Sequence, residues 1–183
     1  MEKTKSIIHY IISCFSAEPT KLGKVKLAKI LWFCEREFMY KNKQHLSDLE
    51  FIKMPLGPVP KKYDALLSQL EKDKIIHIFT APNFNKKQIC FHSLKEPNLK
   101  AFTPDEISLI DSVILALKDE KAGNLSNLTH DSVWENTKQG NVMPVESVFL
   151  KDIEAPSPED IEWANKTIRK ENVKIEILNI AIS

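Results

Sequence analysis

Lys21-Leu22-Gly23-Lys24-Val25-Lys26-Leu27-Ala28-Lys29-Ile30-Leu31-Trp32-Phe33-Cys34-Glu35-Arg36-Glu37-Phe38-Met39-Tyr40 carries the clearest periodic signal of the chain. From Lys24 to Tyr40, Leu27, Ile30, Leu31, Cys34 and Phe38 recur at offsets 0, 3, 4, 7 and 11, one apolar stripe of helical period. Glu35, Arg36 and Glu37, with Lys26 and Lys29, read as the polar face of that helix. Before it, Ile7, Ile8, Ile11, Ile12 and Phe15 share a second helical face. Lys3 and Lys5 ahead of an apolar stretch resemble a signal peptide, but His9, Tyr10 and Ser13 interrupt it and no A-x-A cleavage pattern follows. An amphipathic first helix is therefore expected. No apolar run approaches the length of a membrane span.

After the central helix, Leu49 to Met54 reads as a short strand, and Leu56-Gly57-Pro58-Val59-Pro60 as a break in regular structure. Pro60 suits the first position of a following helix, which would turn Tyr63, Leu66, Leu67 and Leu70 inward. Ile75 to Thr80 and Lys87 to Leu94, joined through Ala81-Pro82-Asn83-Phe84-Asn85, predict a hairpin with His77 across from Cys90 and His92. Thr103-Pro104-Asp105-Glu106 has the chemistry of a capping box, opening a helix to about Lys118 with Ile107, Ile110, Ile114 and Leu117 inward. Gly123 then marks the end of that helix. Ser157-Pro158-Glu159-Asp160 opens a last helix in the same way. Val173 to Ile182 alternates in two phases, which fits a bulged strand or a tail that docks on a partner.

The 183 residues fit one domain, of which folding would bury roughly 70% of the unfolded surface. With 43% apolar and 28% charged residues, the chain reads as an ordinary globular protein. Its four glycines, Gly23, Gly57, Gly123 and Gly140, are never closer than 17 positions, so a dinucleotide fingerprint, a P-loop and a G-x-S-x-G elbow are all excluded. The net charge of +1 argues against a dedicated nucleic-acid binder. Cys14, Cys34 and Cys90 are odd in number and widely spaced, which reads as reduced thiols in a cytoplasmic protein.

Cys90, His92 and His77 could converge on a metal, but the short ligand spacings of zinc sites are missing. Cys34 and Cys14 lie on or beside apolar helical faces, where thiols are inert, and Cys90 is the cysteine read as exposed. Lys21, Lys24, Lys26 and Lys29, with Lys41 and Lys43, are either a phosphate-contacting patch or a solvated helix face, and the balanced charge favours the second. Trp32, Trp134 and Trp163 are either core or interface anchors.

Several of these stretches together resemble one family. Lys21 to Phe33 looks like the K-L-x-K-L-L-Y-F helix of the SocA-like Panacea domain, with Trp32 at the usual Tyr position. Leu56-Gly57-Pro58-Val59-Pro60-Lys61-Lys62-Tyr63, completed by Leu66, resembles its G-P-V-P-x-x-Y-x-x-L motif. Phe102 to Lys118 is similar to its helix after a T/S-x-x-E cap. Leu125-Ser126-Asn127-Leu128-Thr129-His130 and Trp134 look like its L-S-x-x-S-H-x-x-x-x-W element, one residue shorter between His and Trp. The resemblance spans about Lys21 to Leu150.

It implies an antitoxin that binds and neutralises a cognate toxin protein, or an adaptor that delivers a toxin to an ATP-dependent protease. A DNA-binding autoregulator using the Lys21 to Lys43 region is the alternative from another class. The resulting expectation is an α+β, mainly helical single domain of about five to six helices with a small antiparallel hairpin or sheet. Residues 1–155 would form the Panacea domain and 156–183 a C-terminal helix and apolar tail packing on it or on a partner. No enzymatic activity, cofactor, metal or membrane partner is expected. The family-motif or partner-binding residues expected are Lys29, Trp32, Gly57, Pro58, Val59, Pro60, Tyr63, His130 and Trp134. Trp32, Tyr63 and Trp134 are the expected aromatic anchors.

Overall fold

The computed structural model describes residues 2–83, 86–152 and 157–171. The chain divides into two compact units, residues 1–149 and 150–183. The fold is α+β and mainly helical, with small antiparallel sheets.

Helix α1 (Glu2–Cys14) turns Ile7, Ile8, Ile11 and Ile12 into the core, followed by Phe15. Helix α2 (Lys24–Asn42) is the axis of the first unit. Helices α1, α4 (Pro104–Leu117) and α5 (Ala122–Leu128) and strands β2 (Gly57–Pro60) and β4 (Lys86–Ser93) all pack on it, so it is buried nearly all round through its middle. This corrects the polar-face reading at three positions, because Lys26, Lys29 and Glu35 are buried. Each has a backbone partner. Lys26 donates to the Lys118 carbonyl, Lys29 to the Pro58 carbonyl, and Glu35 accepts from Leu46 N–H and the Ser47 hydroxyl. Period alone could not show this, since the neighbours that enclose the second face come from distant sequence. The helix stops at Lys43, which takes φ +58° and donates its N–H to Met39.

Strand β1 (Phe51–Met54) is paired antiparallel on both sides, by β2 (Gly57–Pro60) and by β5 (Val142–Met143). The Gly57 to Pro60 stretch is thus a strand, not a break. Two prolines are tolerated there because β2 is an edge strand. Helix α3 (Tyr63–Lys72) begins after Lys62 rather than at Pro60. It buries Tyr63, Leu67 and Leu70, with Leu66 half-buried.

The expected hairpin is present as β3 (Ile76–Asn83) and β4 (Lys86–Ser93), with His77 opposite His92 and Phe79 opposite Cys90. Phe84 and Asn85 of its loop lie outside the described residues. The capping box opens α4 (Pro104–Leu117) as its sequence predicts: the Thr103 hydroxyl accepts from Glu106 N–H at 3.3 Å and the Glu106 carboxylate from Thr103 N–H at 3.0 Å. Leu109, Ile110, Val113 and Ile114 face the core, with Ile107 and Leu117 at its margin. Gly123 does not end this helix; it lies in the first turn of α5 (Ala122–Leu128). A one-turn helix α6 (Ser132–Asn136) and a 3₁₀ segment (Val145–Asp152) follow.

In the second unit, α7 (Pro158–Glu171) opens at Ser157, whose hydroxyl accepts from Asp160 N–H and donates to its carboxylate. The alternating tail from Val173 to Ile182 lies outside the described residues. No helix among the described residues is long and apolar enough to cross a membrane.

Candidate functional site

Motif residues separated by about a hundred positions in sequence meet at one place, beneath the β1–β2 turn. Helix α2 brings Lys29 there. Its side chain is 0% exposed, and its ammonium nitrogen donates to the Pro58 carbonyl at 3.0 Å. Among the described residues no carboxylate lies within ion-pair distance of it, and burial pushes the amine down to about 7.

Gly57 closes the β1–β2 turn with φ +95°. A Cβ at this position would overlap the Thr129 hydroxyl and stand 2.5 Å from Lys29 Nζ. Glycine is therefore required twice, by the left-handed backbone and by the close approach of α2 and the end of α5. Thr129 is buried and donates to the Ser126 carbonyl at 2.7 Å, which closes α5.

The next residue, His130, stacks on Trp134 with ring centres 3.7 Å apart and planes 12° apart. Its Nε2 is buried with no hydrogen-bond partner among the described residues. Burial lowers its pKa, and the charges of Lys29 and Lys53 lower it further. Asp131 caps α6 by accepting from Trp134 N–H at 3.0 Å. Trp134 then donates its indole N–H to the Met54 carbonyl at 3.2 Å, and Lys53 Nζ sits 4.1 Å from the ring centre. The His–Trp element is thereby tied to the far end of β1.

The other two expected anchors are interior. Trp32 is 1% exposed and meets Phe51 edge-on at 5.0 Å. Tyr63 is buried, donates to the Lys24 carbonyl at 3.1 Å, and its phenol is held well above its ordinary pKa by burial. Both rings are almost wholly out of solvent in this fold. Trp134, half-buried, has one face on His130 and a lysine over its ring. Of the G-P-V-P residues, Gly57, Pro58 and Pro60 are buried and Val59 is half-exposed.

Arg36 joins this network, as Lys53 does, without belonging to a motif. Arg36 lies over the Trp32 ring at 5.1 Å, approaches Asp131 at 3.4 Å and donates to the Ser147 hydroxyl at 3.2 Å. The signal available was its i, i+4 spacing from Trp32, one turn along α2.

Val59, Val25, Ile52 and Tyr63 line a groove of about 600 Å³ beside the junction, with Lys29 at its base. The other candidate chemistry stands apart from it. Cys90, expected to be exposed, is buried, and burial raises its thiol pKa. Cys14, expected beside the core, is the exposed cysteine. Among the described residues no three His, Cys, Asp or Glu side chains gather closely enough to hold a metal.

A family model described as Antitoxin SocA-like, Panacea domain, matches residues 27–135. No curated protein and no solved structure matches the chain. The matched stretch contains the whole junction, from Lys29 on α2 to Trp134 on α6.

Proposed function

The chain belongs to the antitoxin SocA-like, Panacea domain family, and we propose that it neutralises a cognate toxin protein by binding it directly. The observation that carries this reading is the family match together with the use to which its motif residues are put. Lys29, Trp32, Gly57, Pro58, Pro60, Tyr63 and Thr129 are buried, and Lys29, Tyr63 and Thr129 each donate to a backbone carbonyl. They brace a scaffold, and the outer faces of that scaffold are left to meet a partner. A specific complex of this kind buries on the order of 1,200–2,000 Å² around a few anchor residues.

The experiment is co-expression with the product of the neighbouring reading frame. That product is expected to arrest growth when expressed alone. The present chain is expected to restore growth and to co-purify with it as a stable complex. A neighbour that is harmless alone, or a toxic neighbour that is neither rescued nor bound, would sink the reading.

A further inference from the structure

The groove beside the junction continues over the first turn of α2 into a second one of about 750 Å³. The two share Lys24, Val25 and Leu56, which makes them one trench crossing the start of α2. Its far wall is built by β4 and the α4–α5 connection. Strand β4 is fastened there by an antiparallel bridge between Gly23 and Cys90 and by Gln88, whose amide donates to the Thr20 carbonyl at 2.6 Å.

The floor of the trench is aliphatic. Val25 and Val59 are half-buried, while Leu56 is 55% and Ile89 41% exposed. The rim is basic. Lys86, Lys87, Lys118 and Lys121 are all exposed along the far wall, and none forms an ion pair among the described residues. Lys21 and Lys24 stand between them and the first groove, and both are paired, Lys21 with Glu18 at 2.9 Å and Asp119 at 3.8 Å, Lys24 with Asp64. Asp119 and Glu120 are the acidic residues of the second groove. A chain with a net charge of only +1 has therefore gathered a local positive field around exposed aliphatic side chains.

Aliphatic floor and ammonium rim together select for the occupant. Among the described residues that line the trench, the aromatic ring is that of Tyr63, which is buried, so they offer a nucleic-acid strand lysines but no open aromatic face to stack on. An amphipathic peptide segment uses both features, placing its apolar side chains on Val25, Leu56 and Ile89 and its carboxylates against the lysines. We propose that this trench docks an acidic amphipathic segment of the toxin. This names the surface and the partner chemistry for the antitoxin reading, and it rests on that reading.

The test uses the full chain and three labelled probes followed by fluorescence anisotropy. They are a short peptide with leucines on one helical face and glutamates on the other, the same peptide with lysines for glutamates, and a short DNA duplex. The acidic peptide is expected to bind, to weaken as salt is raised, and to bind better than the basic one. The variant carrying Lys86→Glu, Lys87→Glu, Lys118→Glu and Lys121→Glu is expected to lose at least about tenfold in affinity for it. Leu56→Ser is expected to weaken it without changing the salt dependence. In cells, the charge-reversed variant is expected to lose toxin rescue while the unaltered chain retains it. No binding of the acidic peptide, equal binding of the two peptides, tighter capture of DNA, or a variant that binds and rescues like the parent would each overturn the trench. The peptide titrations contain no toxin, so the trench can fail while the unaltered chain still rescues growth. A chain that binds the acidic peptide but does not rescue growth overturns the antitoxin reading instead.

Discussion

Lys29 lies wholly inside the protein with a carbonyl for a partner, whereas Lys86 and Lys87 stand in solvent on the rim of the trench. The side chain is the same, and its consequences are opposite. An amine taken out of water without a counter-charge is costly, and the cost appears as a pKa pushed down to about 7. The rim lysines keep their hydration and add little to stability in either direction. The family motif is concentrated at the first kind of position. The second kind lies partly outside the motif. Lysines of the first kind hold the scaffold, and in the proposed trench those of the second kind choose the partner.

The largest effect should come from the tightest point of the junction. Gly57→Val adds a Cβ into the Thr129 hydroxyl and Lys29 Nζ at a φ of +95° that a β-branched residue rarely adopts. A loss of about 3–5 kcal/mol is expected, read by urea unfolding or as failure to accumulate folded protein. A Gly57→Val chain within about 1 kcal/mol of the parent would mean that the junction is loosely packed and does not hold the scaffold.

Lys29→Met retains most of the side-chain volume and removes the titrating group. In the unaltered chain the folded amine titrates near 7 and the unfolded one near 10.5, so between those values the unfolded state binds more protons. Stability should therefore rise with pH across that window, by at most about 1.4 kcal/mol per pH unit, with the full penalty present below pH 7. His130 acts in the same direction on the acid side. Its lowered pKa means that the unfolded chain takes up the proton first, so stability falls as pH drops through 6.5. Lys29→Met is expected to flatten the alkaline slope, with the share of Lys26 remaining, and to shrink the acid one, because the Lys29 charge is one of the causes that lower the His130 pKa. Parallel curves for the two proteins would show that Lys29 is charged and solvated after all.

Much of the scaffold was readable because it depends on local chemistry. The Thr103 to Glu106 capping box, the isoleucine face of α1 and the β3–β4 hairpin follow from residues within a few positions of one another. Assignments failed where a partner came from far away. Lys26, Lys29 and Glu35 look like a solvated face until α4, β2 and the Leu46–Ser47 backbone close over them. Pro58 and Pro60 look like strand breakers until β1 leaves β2 on an edge, where a missing N–H costs nothing. The resemblance picked out most residues of the junction, but not that most of them are buried. Trp32 and Tyr63 were expected at an interface because large aromatics serve both purposes, and only packing decides between them. The trench has no short-range signature, since its walls come from α2, α3, β4 and the α4–α5 connection.

Trp134 lies between the two classes and should respond in an intermediate way. Trp134→Ala removes the stack on His130, the indole hydrogen bond to Met54 and the ring beneath Lys53. A cost of about 1–2 kcal/mol is expected by thermal or urea unfolding. It should leave the acidic-peptide affinity of the trench close to that of the parent, because Trp134 does not line it. A parallel loss of peptide binding would mean that the junction and the trench are coupled.

The smallest effect on stability is expected where the effect on binding is greatest. Each of Lys86→Glu, Lys87→Glu, Lys118→Glu and Lys121→Glu should shift stability by no more than about 0.5 kcal/mol, since these exposed side chains form no ion pair among the described residues. Relief of mutual repulsion could even raise the melting temperature, most visibly at low salt, where a Debye length of about 30 Å lets the rim charges act on one another. The informative quantity is the ratio of the two losses. A rim that chooses the partner shows a large binding change at almost constant melting temperature. A rim that holds β4 against the start of α2 shows both falling together, and in that case the exposed lysines belong with Lys29 as parts of the scaffold.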